Sequence, residues 1–297
     1  MEIHQLEYVV AVDQYQHFSL AAEQINVSQP TLSHQIKKLE AELGVQLFIR
    51  TTRSIQVTEA GKEFITYAKR ILSDIEQAKQ AMMEHANLKF GHVRIGAIPN
   101  MTYLGITALI VQFKANYPGI NLSLYEDNSE SLFKKMNNHE IDVAFINTPN
   151  TPPDVAEYYP LIQDHFVLFV SQNHRLSDKK IVSLTELSQE QFIIFKMGTN
   201  LQNRFVKLCK EAGFKPDIIL ESGHIETMKG FVEEGIGILF ASKRAALSMV
   251  SNKTAIIQLT PTMERITGLA IGENSNLLST KAFRDYILMN KHKIMKE

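Results

Sequence analysis

The sequence predicts a multidomain α plus α/β protein. Three observations carry this: a helical first 60 residues closed by a short ribbon, one long helix with a heptad-spaced apolar stripe, and an alternation of strands and helices from residue 92 onward. The 297 residues, 44% of them hydrophobic, supply core for about two domains.

Leu6, Val9, Val10 and Val12 mark a first amphipathic helix. Ser19 is placed to cap a second, because Phe18, Ala21, Ala22 and Ile25 follow at helical spacing. The third begins at Ser28, carries Leu32, Ile36, Leu39 and Leu43 on one side, and ends at Gly44. The run LFIRTTRSIQVT then alternates about a polar centre, as two short strands and a turn do. Thr58 caps a long helix over 59–88, about 45 Å long at ~1.5 Å per residue. Its apolar positions Phe64, Ala68, Ile71, Ile75, Ala78 and Met82 keep a heptad repeat, which favours pairing with a second copy of the chain. Residues 87–91 read as a hinge.

From HVRIGAIP to the final helix near 280–290, strands alternate with helices, which implies parallel sheets with crossover helices. TPNTPPD breaks this region into two α/β halves. Halves joined by crossing strands leave a cleft at strand C-termini and helix N-termini. Three loops qualify as its lining: Pro99, Asn100, Met101 and Thr102; Asn147 and Thr148; and Lys196, Thr199 and Asn200. Free N–H groups at helix starts attract anions, and Lys196 offers a cation for a carboxylate. Simple helix capping accounts equally well for each of Thr102, Thr199 and Asn200 taken singly.

Within about residues 18–37, two helices joined by Asn26-Val27-Ser28, with the small Ala22 at their crossing, fit a helix-turn-helix. Ser28 caps the second helix, and Pro30 sits in the first turn, where its missing N–H costs little. Gln29 carries an amide that can bridge an adenine edge; Thr31, Ser33, His34 and Lys37 can reach bases or phosphates. Arg50 and Arg53 occupy the ribbon tip, as a wing would. The charge is less favourable. Residues 1–60 hold four cations (Lys37, Lys38, Arg50, Arg53) against seven acids (Glu2, Glu7, Asp13, Glu23, Glu40, Glu42, Glu59), and the whole chain has a net charge of −1. On these residues alone, a solvated helix face and a groove-reading helix both stand.

Catalytic patterns are missing. Cys209 lies within a helical pattern, where a buried thiol is expected. GIGILF has Phe240 where a dinucleotide fingerprint needs a third glycine. The ten histidines show no metal-ligand spacing. A single cysteine forms no disulfide within the chain, and no apolar run is long enough to span a bilayer. MEIHQLEYVV lacks the charge and apolar order of a signal peptide, so a cytoplasmic protein without cofactor, metal or membrane partner is expected.

Residues 18–64, FSLAAEQINVSQPTLSHQIKKLEAELGVQLFIRTTRSIQVTEAGKEF, resemble a LysR-type transcriptional regulator. The dense match runs through Val27-Ser28-Gln29-Pro30, Leu32-Ser33, Gln35-Ile36, Leu39-Glu40, Leu43-Gly44, Leu47-Phe48, Arg50, Thr58 and Ala60-Gly61. HVRIGA, FKANYPGINLSL, EIDVAF, EAGFKP and VEEGIGILF match more loosely, so the resemblance covers nearly the whole chain. It implies a winged helix-turn-helix over 1–58 and a dimerising linker helix over 59–90. Over 91–297 it implies a periplasmic-binding-protein-like effector domain, with subdomain I at about 91–160 and 266–297 and subdomain II at about 161–265. It also implies no enzymatic activity, and as partners promoter DNA, a small-molecule co-inducer (an organic anion fits), RNA polymerase and further copies of the chain in a dimer of dimers. The inducer contacts it implies fall on the three loops above and near His224. His34 stands where the family commonly carries Arg; a histidine titrates near ~6.5 and would make binding pH-sensitive. The second functional expectation is a cytoplasmic small-molecule-binding protein with no DNA role.

Overall fold

The computed structural model describes residues 1–50, 55–86, 91–99, 101–148, 157–195, 200–272 and 277–294. Helices α1 (Ile3–Tyr15), α2 (Phe18–Gln24) and α3 (Gln29–Leu43) enclose Val9, Val12, Ala21, Ala22, Leu32, Ile36 and Leu39, all nearly or fully buried. Strands β1 (Phe48–Arg50) and β2 (Ile55–Val57) form the antiparallel ribbon, with Phe48 edge-on to Phe18 at 6.1 Å. Ser28 caps α3 by accepting the Thr31 N–H at 3.2 Å. Gly44 ends it at φ 73°, a conformation that costs glycine little. Two details differ from the sequence expectation. The residue capping α2 is His17, and Ser19 lies inside the helix, so no side chain closes that end. Leu43 is 37% exposed, so the apolar stripe of α3 stops at Leu39.

Helix α4 (Glu59–Ala86) begins where expected. The Thr58 hydroxyl accepts the Gly61 N–H at 2.9 Å and donates to the Gln46 carbonyl at 2.7 Å, joining the helix start to the ribbon. A Cβ on Gly61 would lie 2.2 Å from the Leu47 carbonyl oxygen, so this close approach requires glycine. Among the described residues, no helix is long and apolar enough to cross a membrane.

The remaining elements, in chain order, are β3 (Gly91–Ala97), α5 (Ile106–Asn116), β4 (Ile120–Glu126), α6 (Ser129–Asn137), β5 (Val143–Thr148), β6 (Glu157–Ser171), β7 (Ile181–Ser183), β8 (Gln191–Phe195), α7 (Asn200–Glu211), β9 (Asp217–Ser222), α8 (Ile225–Glu233), β10 (Ile238–Ser242), α9 (Lys243–Met249), β11 (Thr254–Thr260), β12 (Glu264–Ile271) and α10 (Leu278–Asn290). The sheet runs β4-β3-β5-β12-β6-β10-β8-β9, with β11 on β6 and β7. The sheet is not purely parallel. β3–β4, β3–β5, β8–β9 and β8–β10 are parallel, but β12 runs antiparallel to both β5 and β6, and β6 antiparallel to β10 and β11. The physical reason is that β6 and β12 cross between the lobes with no covering helix to return them in the same sense.

Each lobe has its own core. Val93, Ile95, Phe113, Phe145 and Phe283 centre the first; Phe166, Phe192, Phe205 and Phe240 centre one face of the second, and Val167, Phe169, Met228 and Leu239 the other. The second half of β6 is buried on both faces, which explains its unbroken apolar run FVLFV.

The second half of α4 rests on the first lobe through polar contacts. The Gln80 amide donates to the His92 carbonyl at 2.7 Å and to the Ser279 hydroxyl at 3.2 Å. The Ser73 hydroxyl accepts from Arg94 Nη1 at 2.8 Å and donates to the His139 carbonyl, while the His139 ring meets the Asp74 carboxylate.

Candidate functional site

Ser28, Gln29, Pro30, Thr31, His34 and Lys37 all lie exposed on the outer side of α3, and Ser33 is half-buried beside them. The Ser28 and Thr31 hydroxyls also meet each other at 2.7 Å, so these two serve the cap. Helix α3 is held against α1 by the Gln5 amide donating to Gln35 at 3.1 Å. Its outward face is therefore presented by a fixed frame.

Four of the seven acids turn to partners away from the N-terminal half of α3. Glu40 turns toward the ribbon and accepts the Leu47 and Phe48 N–H groups at 2.8 and 3.2 Å. Glu42 pairs with the N-terminal amine at 2.7 Å, Glu2 with Lys38 at 3.8 Å, and Asp13 with Lys69 at 2.9 Å. These four acids are held by partners outside the N-terminal half of α3. Arg50 closes β1; Arg53 lies outside the described residues.

Of the heptad positions on α4, Phe64 packs against the first module's core and Ala68 is fully buried. Ile75 is half-buried. Ile71 is 37% exposed, Met82 64%, and Tyr67, which the sequence reading did not single out, 56%; Ala78 is exposed with them.

In the α/β domain the expected contacts divide. Pro99 and Thr102 are exposed at the C-terminal end of β3, and His224 is exposed at the start of α8. Asn147 is half-buried; its side-chain oxygen accepts from the Thr267 hydroxyl at 2.7 Å, and its N–H donates to the Ser129 hydroxyl at 3.2 Å. Met101 belongs to the lobe core, and the Thr148 hydroxyl, 5% exposed, is bonded to the Tyr158 hydroxyl at 2.8 Å; both point away from solvent. Asn200 opens α7, while Asn100, Lys196 and Thr199 lie outside the described residues.

Sequence reasoning missed four polar groups here: Ser129, Thr267, Arg265 and Tyr103. The Tyr103 hydroxyl donates to Glu226 at 3.2 Å and so ties the first lobe to the second. Arg265 stands on β12 two residues before Thr267, therefore on the same strand face, with its guanidinium 5.7 Å from the Phe166 ring centroid. Its Nε is buried and has no hydrogen-bond partner among the described residues. Burial pushes the Arg265 pKa below the usual arginine range, opposed by the Asp164 charge. Among the described residues, no group of three or more His, Cys, Asp or Glu is arranged to hold a metal ion.

A winged helical module, a long connecting helix and a two-lobed α/β domain with a polar interlobe face define a ligand-responsive DNA-binding regulator. Residues 3–62 match the family of bacterial regulatory helix-turn-helix proteins of the lysR type, and residues 86–290 match the LysR substrate binding domain. The chain belongs to the LysR family, and it is a DNA-binding transcriptional regulator with an effector-binding domain, not an enzyme. The transcriptional dual regulator GltC of Bacillus subtilis is 30% identical over 291 residues, 97% of each chain. The hydrogen peroxide-inducible genes activator of Haemophilus influenzae is 30% identical over 254 residues, 85% of this chain and 84% of its own. Among solved structures, a full-length OxyR variant from Pseudomonas aeruginosa aligns with TM-score 0.68 and 25% identity, covering 99% of this chain and 94% of that one. CbnR complexed with its target DNA has TM-score 0.72 at 21% identity, covering 97% and 99%, and shows the shared fold.

The chain's single cysteine, Cys209, is poorly placed for thiol chemistry. Cys209 is fully buried in α7, and burial pushes its pKa up to about 12. Very little of it would be the reactive thiolate at neutral pH. Millimolar peroxide is expected to leave Cys209 unmodified in the folded protein, read by peptide mass spectrometry, and to leave operator affinity unchanged. Rapid sulfenic acid formation at Cys209 would contradict this.

Proposed function

We propose that this regulator works in the cytoplasm as a dimer, paired again into a dimer of dimers, with the N-terminal half of each α3 in a major groove. Gln29, Ser33 and His34 face base edges, while Thr31, Lys37, Arg50 and Arg53 hold phosphates; Ser28 and Pro30 set the angle of entry. The observation that carries this assignment is the exposed, capped face of α3 whose neighbouring acids are turned to other partners. The α4 stripe around Ile71, Ile75, Ala78 and Met82 pairs the two copies, with Phe64 and Ala68 fixing α4 on its own module. The interlobe cleft, bordered by Pro99, Asn100, Thr102, Asn147, Lys196, Thr199, Asn200 and His224, takes a small organic anion. Ligand binding favours one lobe angle over another and so changes how the assembly bends DNA and meets RNA polymerase. CbnR, which shares the fold and was solved with its target DNA, and GltC, named a transcriptional dual regulator, support the reading as a DNA-binding regulator.

The test is a gel shift on DNA upstream of the protein's own gene or its divergent neighbour. Wild type is expected to shift it at low salt. Gln29→Ala together with Arg50→Ala should weaken binding by about 1–3 kcal/mol for each lost base contact in each half-site, and should flatten the salt dependence. No shift at low salt, or an unchanged affinity of the double variant, sinks the assignment.

A further inference from the structure

We propose that Arg265 is the anion-recognising residue of the interlobe cleft, and that its ligand is a small organic acid whose second polar end meets Asn147. This rests on the cleft being the effector site.

Position comes first. β12 is paired with β5 of the first lobe from Ile266 onward and with β6 along its whole length. Arg265 therefore lies on a crossing strand, between Thr267, which bonds to Asn147 in the first lobe, and Phe166, which belongs to the core of the second. A group held there touches both lobes and is sensitive to the angle between them.

The state of the guanidinium points the same way. Its central carbon lies over the Phe166 ring, 5.7 Å from the centroid and within cation–π range. Asp164 is its cross-strand partner in register, yet among the described residues the two form no ion pair. The Asp164 carboxylate instead accepts the backbone N–H of His165 at 2.8 Å and of Arg244 at 3.5 Å. Nε is left buried without an acceptor among the described residues. A buried donor without a partner destabilises the fold unless an acceptor arrives. The planar fork of five N–H donors suits a carboxylate, which it can engage through two parallel bonds.

The second end of the ligand follows from strand geometry. Arg265 and Thr267 are about 7 Å apart along β12, and Asn147 is the register partner of Thr267. The Asn147 side-chain oxygen is occupied by Thr267, and its NH₂ donates to no described residue. The ligand therefore carries an acceptor, a second carboxylate or a carbonyl, roughly four to six atoms from the first carboxylate.

The experiment uses the full-length chain with succinate, glutarate, neutral succinamide and inorganic sulfate as probes, by thermal shift and calorimetry. Wild type is expected to bind at least one diacid and not succinamide. Arg265→Gln should lose at least tenfold in affinity, Arg265→Lys should lose less, and Asn147→Asp should weaken diacid binding by adding a like charge. Operator binding of wild type without ligand, measured alongside, separates this proposal from the DNA-binding assignment: a chain that binds operator but none of the acids overturns this proposal alone. Arg265→Lys and Asn147→Asp keep the test decisive if Arg265→Gln does not fold. Diacids that bind Arg265→Gln or Arg265→Lys as tightly as wild type overturn the proposal. So does binding of sulfate alone, or of none of the acids.

Discussion

Asp142→Ala is expected to cost roughly 3–5 kcal/mol of folding stability, because it strands a largely buried cation. The Asp142 side chain is 2% exposed and that of Arg94 18%. One carboxylate oxygen accepts Arg94 Nη2 at 2.7 Å; the other accepts the Arg94 backbone N–H at 2.7 Å and Nε at 3.2 Å. Removing it leaves three donors on Arg94 without their acceptor. Arg94 also reaches Ser73 of α4, so the loss extends to the joint between that helix and the first lobe. Differential scanning calorimetry should show a melting temperature lower by about 6–20 °C. The pair Arg94→Met with Asp142→Leu should recover most of the stability, since a buried ion pair replaced by apolar groups is often neutral. A single variant that melts like wild type would show that the pair carries little.

Charge placed on the outward stripe of α4 is expected to separate the subunits. Ile71 and Met82 are exposed, with Tyr67 and Ala78 between and beside them, at spacings of four and seven residues. Burying one such side chain contributes about 1.5–3 kcal/mol. In a two-fold interface every position occurs twice, so Ile71→Lys or Met82→Lys should weaken association by about 3–6 kcal/mol. Sedimentation at micromolar concentration should show a shift from dimer toward monomer, with operator affinity falling in parallel. Unchanged sedimentation of both variants would place the pairing surface elsewhere.

Helix α3 was legible because its signals are local: Ser28 and Pro30 at one end, Gly44 at the other, and Leu32, Ile36 and Leu39 between. The start of α4 was legible for the same reason, through Thr58 and the small Gly61. The length of β6 was not. Asp164 and His165 interrupt its apolar pattern, and only the pairing with β12 shows that Glu157–Ser171 is one strand. Helix α9 is hard to read because it is only seven residues long and follows β10 directly, although Ser242 caps it by accepting the Ala245 N–H. Among the cleft residues, Asn147 sat at a strand end and could be anticipated. Arg265 sat inside ERITGLAI, where an alternating strand predicts an exposed cation; it is half-buried with Nε enclosed, against Phe166 of β6, which is distant in sequence. The net acidity of the first module misled for a related reason: residue counts carry no direction, and Glu40 points at backbone amides.

The polar seating of α4 on the first lobe has a mechanical consequence. Helix α4 is 28 residues long and rigid along its axis, with its lobe contacts at Ser73, Asp74 and Gln80 and the recognition module fixed at its other end through Thr58 and Gly61. From Gln80 back to Glu59 the rod measures about 30 Å, so a tilt of about 6° at the seat swings its far end by about 3 Å. That displacement is close to one base step of a duplex. The helix thus acts as a lever that converts a rotation too small to disturb the lobe's core into a change of register on DNA.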